Sequence, residues 1–419
     1  MPRIWMPVAV LAALTLPPPT QAQEEARSEP PALTLSQALA RAARGHPELS
    51  AARHGLDAAD AARLQAASRP NPELGLEVED TRRRTRSTTL QLSQPVELGG
   101  KRPARVAAAD RSRELAEVQL IARGSDIRAA VRIAFVDALI GQEQVRLAES
   151  SLQLAQRAAD AAQRRVSAGK ISPVEATRAR VAAAGVQLEL LQARSGLRTA
   201  LQELAAAIGH TGPAIERVEG SLDLPPAPPR QGQPPVVDWP AYRAARLEVE
   251  RQGALAALER AQGVPDLRVS LGVKRSEELG RQQAVIGVAL PLPVFDRNRG
   301  AELEALRRQD QAADHSRALA LRLAADWQRS AERLDTARAR AEDLQRDLLP
   351  SAQGAYDAAT RGFELGKFGF LDVLDAQRTL LDARAQLLRA LADAHRAATE
   401  IERLSGAGVE PAASAAIQP

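Results

Sequence analysis

The chain has 419 residues, of which 2% are aromatic and 26% charged, the bias of long helices and coiled coils rather than of a large globular core. It contains no cysteine, which excludes a disulfide framework, a thiolate metal site and a cysteine nucleophile. The 56 basic and 52 acidic residues leave a net charge of +4, but the signs interleave, as in RAEDLQRD, so the pattern is a solvated helix face and not a nucleic-acid footprint.

Arg3 precedes the apolar run IWMPVAVLAALTL, and Thr20 to Ala22 offer a small-residue cleavage site. Residues 1–22 therefore read as a signal peptide. No cysteine follows the run, so a lipidated N-terminus is not expected. No later stretch is long and apolar enough for a spanning helix, so any membrane insertion must use strands.

Thr34-Leu-Ser-Gln37 reads as a capping box opening a helix. Gly45-His46-Pro47 breaks that helix, and Pro47 starts another that reaches about Ser68. In PELGLEVED, Leu74, Leu76 and Val78 share one face, with Glu73, Glu77 and Glu79 near or on the other. After TRRRTRS, the alternation resumes through Thr88, Leu90, Leu92, Gln94 and Val96, giving a hairpin over about 72–97. Gly99 and Gly100 supply a tight strand-to-helix passage. A helix follows from about Pro103 to Ala168, roughly 100 Å long at about 1.5 Å per residue. Its seam Leu152, Ala155, Ala159, Ala162, Val166 has coiled-coil spacing with small residues.

Residues 210–238 are proline-rich and are expected to run extended between two halves. In the second half Leu267, Val269, Leu271 and Val273 alternate with polar residues, and Ala284, Ile286, Val288, Leu290 and Leu292 form a fourth strand, a hairpin over about 266–292. The seam Leu349, Ala352, Tyr356, Ala359, Phe363 follows. Residues 406–419 read as a loose tail.

The halves repeat one another. AQRAADAAQRRVSAGK, ending at Lys170, matches AQGAYDAATRGFELGK, ending at Lys367, so 23–209 and 239–405 read as two copies of one unit. Strands of about ten residues, apolar on one face, fit an outer-membrane barrel. Lipid tolerates no open sheet edge, and four strands fall short of the roughly eight that close a barrel. Three copies give twelve strands above a ring of long helices, with quasi-sixfold symmetry.

The chain resembles the TolC-like outer-membrane efflux protein family over about Leu33 to Leu404. The carriers are LTLSQALARAARGHPEL, PNPELGLEVED, LSQPVELGGKRPAR and GKFGFLDVLDAQRTLLDARAQL. SQPVELGGKR is similar to the CzcC/CusC-type branch, which serves heavy-metal efflux. His46 stands where the family usually has Asn, and the lipidation cysteine of many relatives is absent.

The resemblance implies an α+β chain, mainly long helices. It would form a homotrimer whose twelve-stranded barrel crosses the outer membrane and continues as a periplasmic helical barrel. A periplasmic adaptor and a proton-driven RND-type inner-membrane pump would be its partners, with no catalytic residue and no cofactor. It also implies that the helical-hairpin tips, at Gly169, Lys170 and Glu175 and at Gly366 and Lys367, dock the adaptor and pump. Asp372 and Asp375 share a helical face and would line the periplasmic entrance, where threefold symmetry makes carboxylate rings that favour cations. Phe363 aligns with an entrance aromatic, although its seam position explains it equally well. Glu175 matches Asp372 in the repeat, but Arg178 faces Asp375, so the tips differ.

Arg82, Arg83, Arg84 and Arg86 lie in a candidate extracellular loop and would pair with outer-leaflet phosphates. The five histidines are scattered and form no zinc pattern; LGGKRPAR lacks P-loop spacing. The expected function is an export duct for heavy-metal cations. The same duct could serve drugs, small organics or type I secretion. A soluble periplasmic coiled-coil scaffold or adaptor is the reading from another class, and it leaves the four alternating strands unexplained.

Overall fold

The computed structural model describes residues 32–406 apart from 81, 210, 211, 213 and 228–234. The expected signal peptide, and all of the expected tail beyond Gly406, lie outside the described residues. β1 (Leu33–Thr34) leads into α1 (Leu35–Gly45). The capping box forms: the Gln37 amide donates to Thr34 Oγ1 at 3.4 Å, and the Thr34 amide donates to Gln37 Oε1 at 3.2 Å. His46 breaks the helix, and its Nδ1 accepts from the Glu48 amide at 3.2 Å, capping α2 (Pro47–Ala67). Its ring nitrogen does what an asparagine oxygen does at such a cap, so the departure at His46 keeps the local chemistry.

β2 (Glu73–Glu79) and β3 (Ser87–Val96) form the first hairpin. Gly99 and Gly100 have φ of 69° and 75°, the left-handed region that glycine enters without strain. They turn the chain into α3 (Lys101–Ser167), a helix of 67 residues. α4 (Pro173–Ile208) returns beside it. After β4 (Val218–Glu219), the second half follows as α5 (Pro240–Gln262), β5 (Leu267–Ser276), β6 (Arg281–Ala289), α6 (Arg299–Asp343), a π-helical turn (Leu344–Leu348), α7 (Leu349–Glu364) and α8 (Phe370–Ser405). The fourth strand stops at Ala289 rather than Leu292. Ala289 pairs with Arg268, β5 begins at Leu267, and Pro291 and Pro293 have no amide hydrogen to give a ladder.

The core is built on alanine. Ala138, Ala162, Ala341 and Ala394 are among the most buried side chains, which lets helix backbones approach closely. One cluster joins α1, α3 and α4 through Ala38, Val131, Phe135 and Leu204. α3 and α8, one from each half, are stitched by Asp126–Arg403 at 3.2 Å, Arg132–Glu402 at 2.5 Å and Asp137–Arg396 at 2.7 Å. Glu400 foremost, and Asp126 behind it, hold the Arg403 guanidinium well above its ordinary pKa.

The proline-rich segment does more than separate the halves. The Val218 amide donates to Gln142 Oε1 at 2.7 Å, Gln142 Nε2 donates to the Val218 carbonyl at 3.0 Å, and β4 pairs parallel to β1. Leu222 packs on Val136, Ile140 and Leu388, and Leu224 on Leu334, Ala394 and Ala341. Extended backbone sends alternate side chains the same way, so these two leucines pin a strap across helices of both halves.

Under the strap lies His395, beside Asp223, with its Nε2 buried and without a hydrogen-bond partner. Burial holds its pKa below the ordinary 6.5. The unfolded chain therefore takes a proton near 6.5 that the folded chain refuses, so this contribution is complete above pH 6.5 and falls away below it. The thermal midpoint of His395→Gln is expected to drop less than that of the parent between pH 8 and pH 5.5. Parallel curves would show that His395 does not carry the effect.

Candidate functional site

Two surfaces invite functional reading: the sheet and the tips of the helical hairpins. The sheet order is β2-β3-β5-β6, all antiparallel, with both outer edges open. Leu74, Leu92, Leu271 and Ile286 stand directly opposite one another in a row across the four strands, and so share a face. They are 71%, 51%, 62% and 76% exposed. The next row, Leu76, Leu90, Val273 and Ala284, continues that face.

The opposite face is polar and connected. Lys274 Nζ meets Glu79 at 2.6 Å, Ser87 Oγ donates to Glu79 at 2.9 Å, and Arg268 pairs with Glu73. Ser87, Thr89, Ser270 and Ser276 are buried there. A soluble sheet hides its apolar side and wets its polar side; this one does the reverse. Among the described residues no helix is long and apolar enough to cross a membrane.

The β2–β3 turn is shaped by Asp80, at φ 59°. Its carboxylate accepts from the Arg82 amide at 3.0 Å and from the Thr85 hydroxyl. Arg82, Arg83, Arg84 and Arg86 are exposed. Arg86 differs from the others, because its guanidinium lies 4.0 Å from Glu277 and its carbonyl accepts from the Glu277 amide at 3.0 Å.

The tips are closed by one device used twice. The Gly169 amide reaches the Val166 carbonyl at 2.9 Å and the Lys170 amide reaches Arg165 at 2.8 Å. In the second half, Gly366 reaches Phe363 at 3.0 Å and Lys367 reaches Gly362 at 2.7 Å. Both are Schellman caps, with glycine at φ 68° and 74°. Lys170 and Lys367 are exposed, and Glu175 is half-buried in the first turn of α4.

The structure brings the two tips together. Phe363 and Leu374 pack against Ala159, Ala162, Ala176 and Ala179 of the first hairpin. The Arg165 guanidinium stacks 4.0 Å from the Phe363 ring centroid and donates to the Phe363 carbonyl at 3.2 Å. Sequence reading passed over Arg165. The available signal was that the repeat has Gly362 at the matching position, so only one tip can offer this cation. Replacing Arg165 by Gln is expected to loosen α7 from the first hairpin, read as at least severalfold faster hydrogen exchange of amides 359–368. Unchanged exchange there would show that the alanine packing alone joins the tips.

Asp372 and Asp375 are both exposed, but they are not alike. Asp372 Oδ2 accepts from the Gly369 amide at 2.8 Å, tying the first turn of α8, while Asp375 has no such duty. Among the described residues no group of three or more His, Asp or Glu is placed to hold a metal.

Comparison with known proteins agrees with this geometry. The family model for outer membrane efflux proteins matches twice, over residues 35–210 and 239–407. The cobalt-zinc-cadmium resistance protein CzcC of Cupriavidus metallidurans is 45% identical over 97% of this chain and 100% of its own length. A crystal structure of CusC aligns with a TM-score of 0.76 at 17% identity, covering 89% of this chain and 92% of that one. The outer membrane protein VceC of Vibrio cholerae aligns with a TM-score of 0.72 at 20% identity, covering 89% and 96%; these two likenesses speak for the fold. With two matches that together span most of its length, the chain belongs to the outer membrane efflux protein family.

Proposed function

We propose that three copies of this chain form an outer-membrane channel that passes heavy-metal cations from the periplasm to the exterior. The channel does no work itself. A proton-driven RND-type pump in the inner membrane supplies the energy and a periplasmic adaptor links the two, docking at the tips around Gly169, Lys170, Glu175, Gly366 and Lys367. The chain is exported by a signal peptide over residues 1–22 and is not lipidated. Asp372, Asp375 and Phe363 belong to the periplasmic entrance, and Arg82, Arg83 and Arg84 meet outer-leaflet phosphates, with Arg86 partly committed to Glu277.

The observation that carries the reading is the sheet with its apolar face bare and its polar face bonded. Three copies make that sheet a closed twelve-stranded wall, apolar to lipid and polar to a lumen. Metal cargo is favoured by the 45% identity to a cobalt-zinc-cadmium resistance protein over nearly the whole chain.

The test combines planar-bilayer conductance of protein purified from the outer membrane, its oligomer mass, and the tolerance of a deletion strain. A trimer with small cation-preferring conductance, and sensitivity of the deletion strain to cobalt, zinc or cadmium, is expected. Sensitivity to drugs but not metals would change the cargo. A monomer that stays in the periplasmic fraction would remove the channel altogether.

A further inference from the structure

The two tips share a backbone but not a charge. Over the matched stretches 155–182 and 352–379, the first carries six basic and two acidic residues, a net +4, and the second three basic and four acidic, a net −1. Three positions mark the divergence: Arg165 stands against Gly362, Ala168 against Leu365 and Ile171 against Phe368. Leu365 is 72% and Phe368 50% exposed, and the Phe368 ring lies so close to Gly362 that a Cβ there has no room. The second tip shows apolar side chains where the first shows cations.

The cations of the first tip are ordered. Arg157 and Arg164 are seven residues apart on α3, two turns that bring them within about 20° of one another, so they share a face. That face is turned away from the seam of Ala155, Ala159 and Ala162, which is buried. On α4, Arg178 is turned away from buried Ala176 and Ala179 in the same manner, and Lys170 lies in the turn between the helices. All four cations are exposed, and among the described residues none of them is in an ion pair. Their neighbours are otherwise engaged: Arg165 with Phe363, and Arg180 with the Thr177 hydroxyl at 3.4 Å.

Copies of this chain cannot neutralise the patch. A second tip set beside a first offers −1 against +4, so the tips of a trimer keep a net +9 however the copies are arranged. Nor does the patch suit a flat membrane met end-on. From Arg157 to Lys170 it runs about 20 Å up the side of the hairpin, and such a membrane meets only the turn. A surface that lies along the side of the hairpin is a protein surface, and its charge is opposite.

We propose that the first tip docks an acidic protein surface through Arg157, Arg164, Lys170 and Arg178, and that the second tip takes no part in this charge pairing. The proposal rests on the docking reading above and gives the two tips different chemistry. Exposed pairs of this kind are individually weak and are screened by salt, but a complementary field steers the encounter and fixes which surface docks.

The test places the photo-cross-linker p-benzoylphenylalanine at Ala168 or, as the matched control, at Leu365. Cross-links are made in cells and the captured segment is identified by mass spectrometry. Position 168 is expected to capture a protein segment with an excess of Asp and Glu. Its yield should fall on the order of tenfold in the triple variant Arg157→Glu, Arg164→Glu, Arg178→Glu, and severalfold in permeabilised cells moved from low salt to about 0.5 M, where the Debye length is only a few ångströms. Position 365 should keep its yield in both. The triple variant to Gln, which removes charge without reversing it, should fall less far than the Glu variant; it replaces that variant if the latter fails to give heat-resistant trimer. Capture at 168 of lipid, of a second copy of this chain, or of a segment without acidic excess overturns the proposal, as does a yield at 168 that ignores both charge and salt. The docking reading stands in those cases if 365 still captures a different protein. A trimer that captures no other protein at either position overturns both.

Discussion

Replacing Leu271 by arginine is expected to remove the protein from the outer membrane. Leu271 lies in an inner strand, between Leu92 and Ile286, in the middle of the bare apolar face. An arginine at the bilayer midplane of a barrel costs ~2–4 kcal/mol. Threefold assembly repeats that cost in every copy, so the trimer loses on the order of 6–12 kcal/mol, as much as a whole domain has to spare. Gln91→Lys is the control. Gln91 stands on the other face, opposite Gly75 and Gly272, where a long cation has room and water. Membrane fractionation and heat-resistant oligomer on gels read both variants. Leu271→Arg protein assembling like the parent would show that this face meets protein or water, and the channel reading would fall with it.

The features that sequence reading found are the ones decided locally. Thr34 and Gln37 form a cap within one turn. Gly99, Gly100, Gly169 and Gly366 sit where the backbone needs positive φ, and period-two alternation marks the strands without knowledge of their partners. The features it missed depend on groups far apart in the chain. Leu222 and Leu224 read as proline-rich linker because the helices they pin come from both halves. The stacking of Arg165 on Phe363 joins residues 198 positions apart, on different helical hairpins. The end of β6 at Ala289 depends on where β5 begins. The π-helical turn at Leu344–Leu348, with Pro350 just beyond it, interrupts the second long helix but has no counterpart in α3. A proline within a helical run removes a backbone donor and disturbs the winding before it, so Pro350 was the local mark that sequence reading passed over.

The candidate site divides along the same line. That the helices end at Gly169 and Gly366 was legible from the repeated Gly-Lys pairs. That Asp372 and Asp375 have different work was not, because only the fold shows the Gly369 amide donating to Asp372. A substitution at Asp372 therefore confounds charge with folding unless the replacement keeps an acceptor. Asparagine does so and alanine does not.

The double variant Asp372→Asn, Asp375→Asn accordingly isolates charge, and its cation preference is expected to fall. A cation on the axis about 8 Å from three carboxylates gains ~0.5 kcal/mol from each in water-like dielectric, about 1.5 kcal/mol for a ring. That corresponds to roughly tenfold in relative cation occupancy at low salt. At 0.15 M the Debye length is itself about 8 Å, which cuts the gain to about 0.5 kcal/mol per ring, or two- to threefold. Reversal potentials across a salt gradient, measured in dilute and in physiological salt, should therefore show a loss that is large in the first and small in the second. Asp372→Ala should add to this the fraying of the first turn of α8, about 1 kcal/mol, seen as faster hydrogen exchange at 369–373 that Asp372→Asn does not share. If the reversal potential at low salt is the same with and without the two carboxylates, they do not face the ion path, and the cation preference of the channel must be set elsewhere along its length.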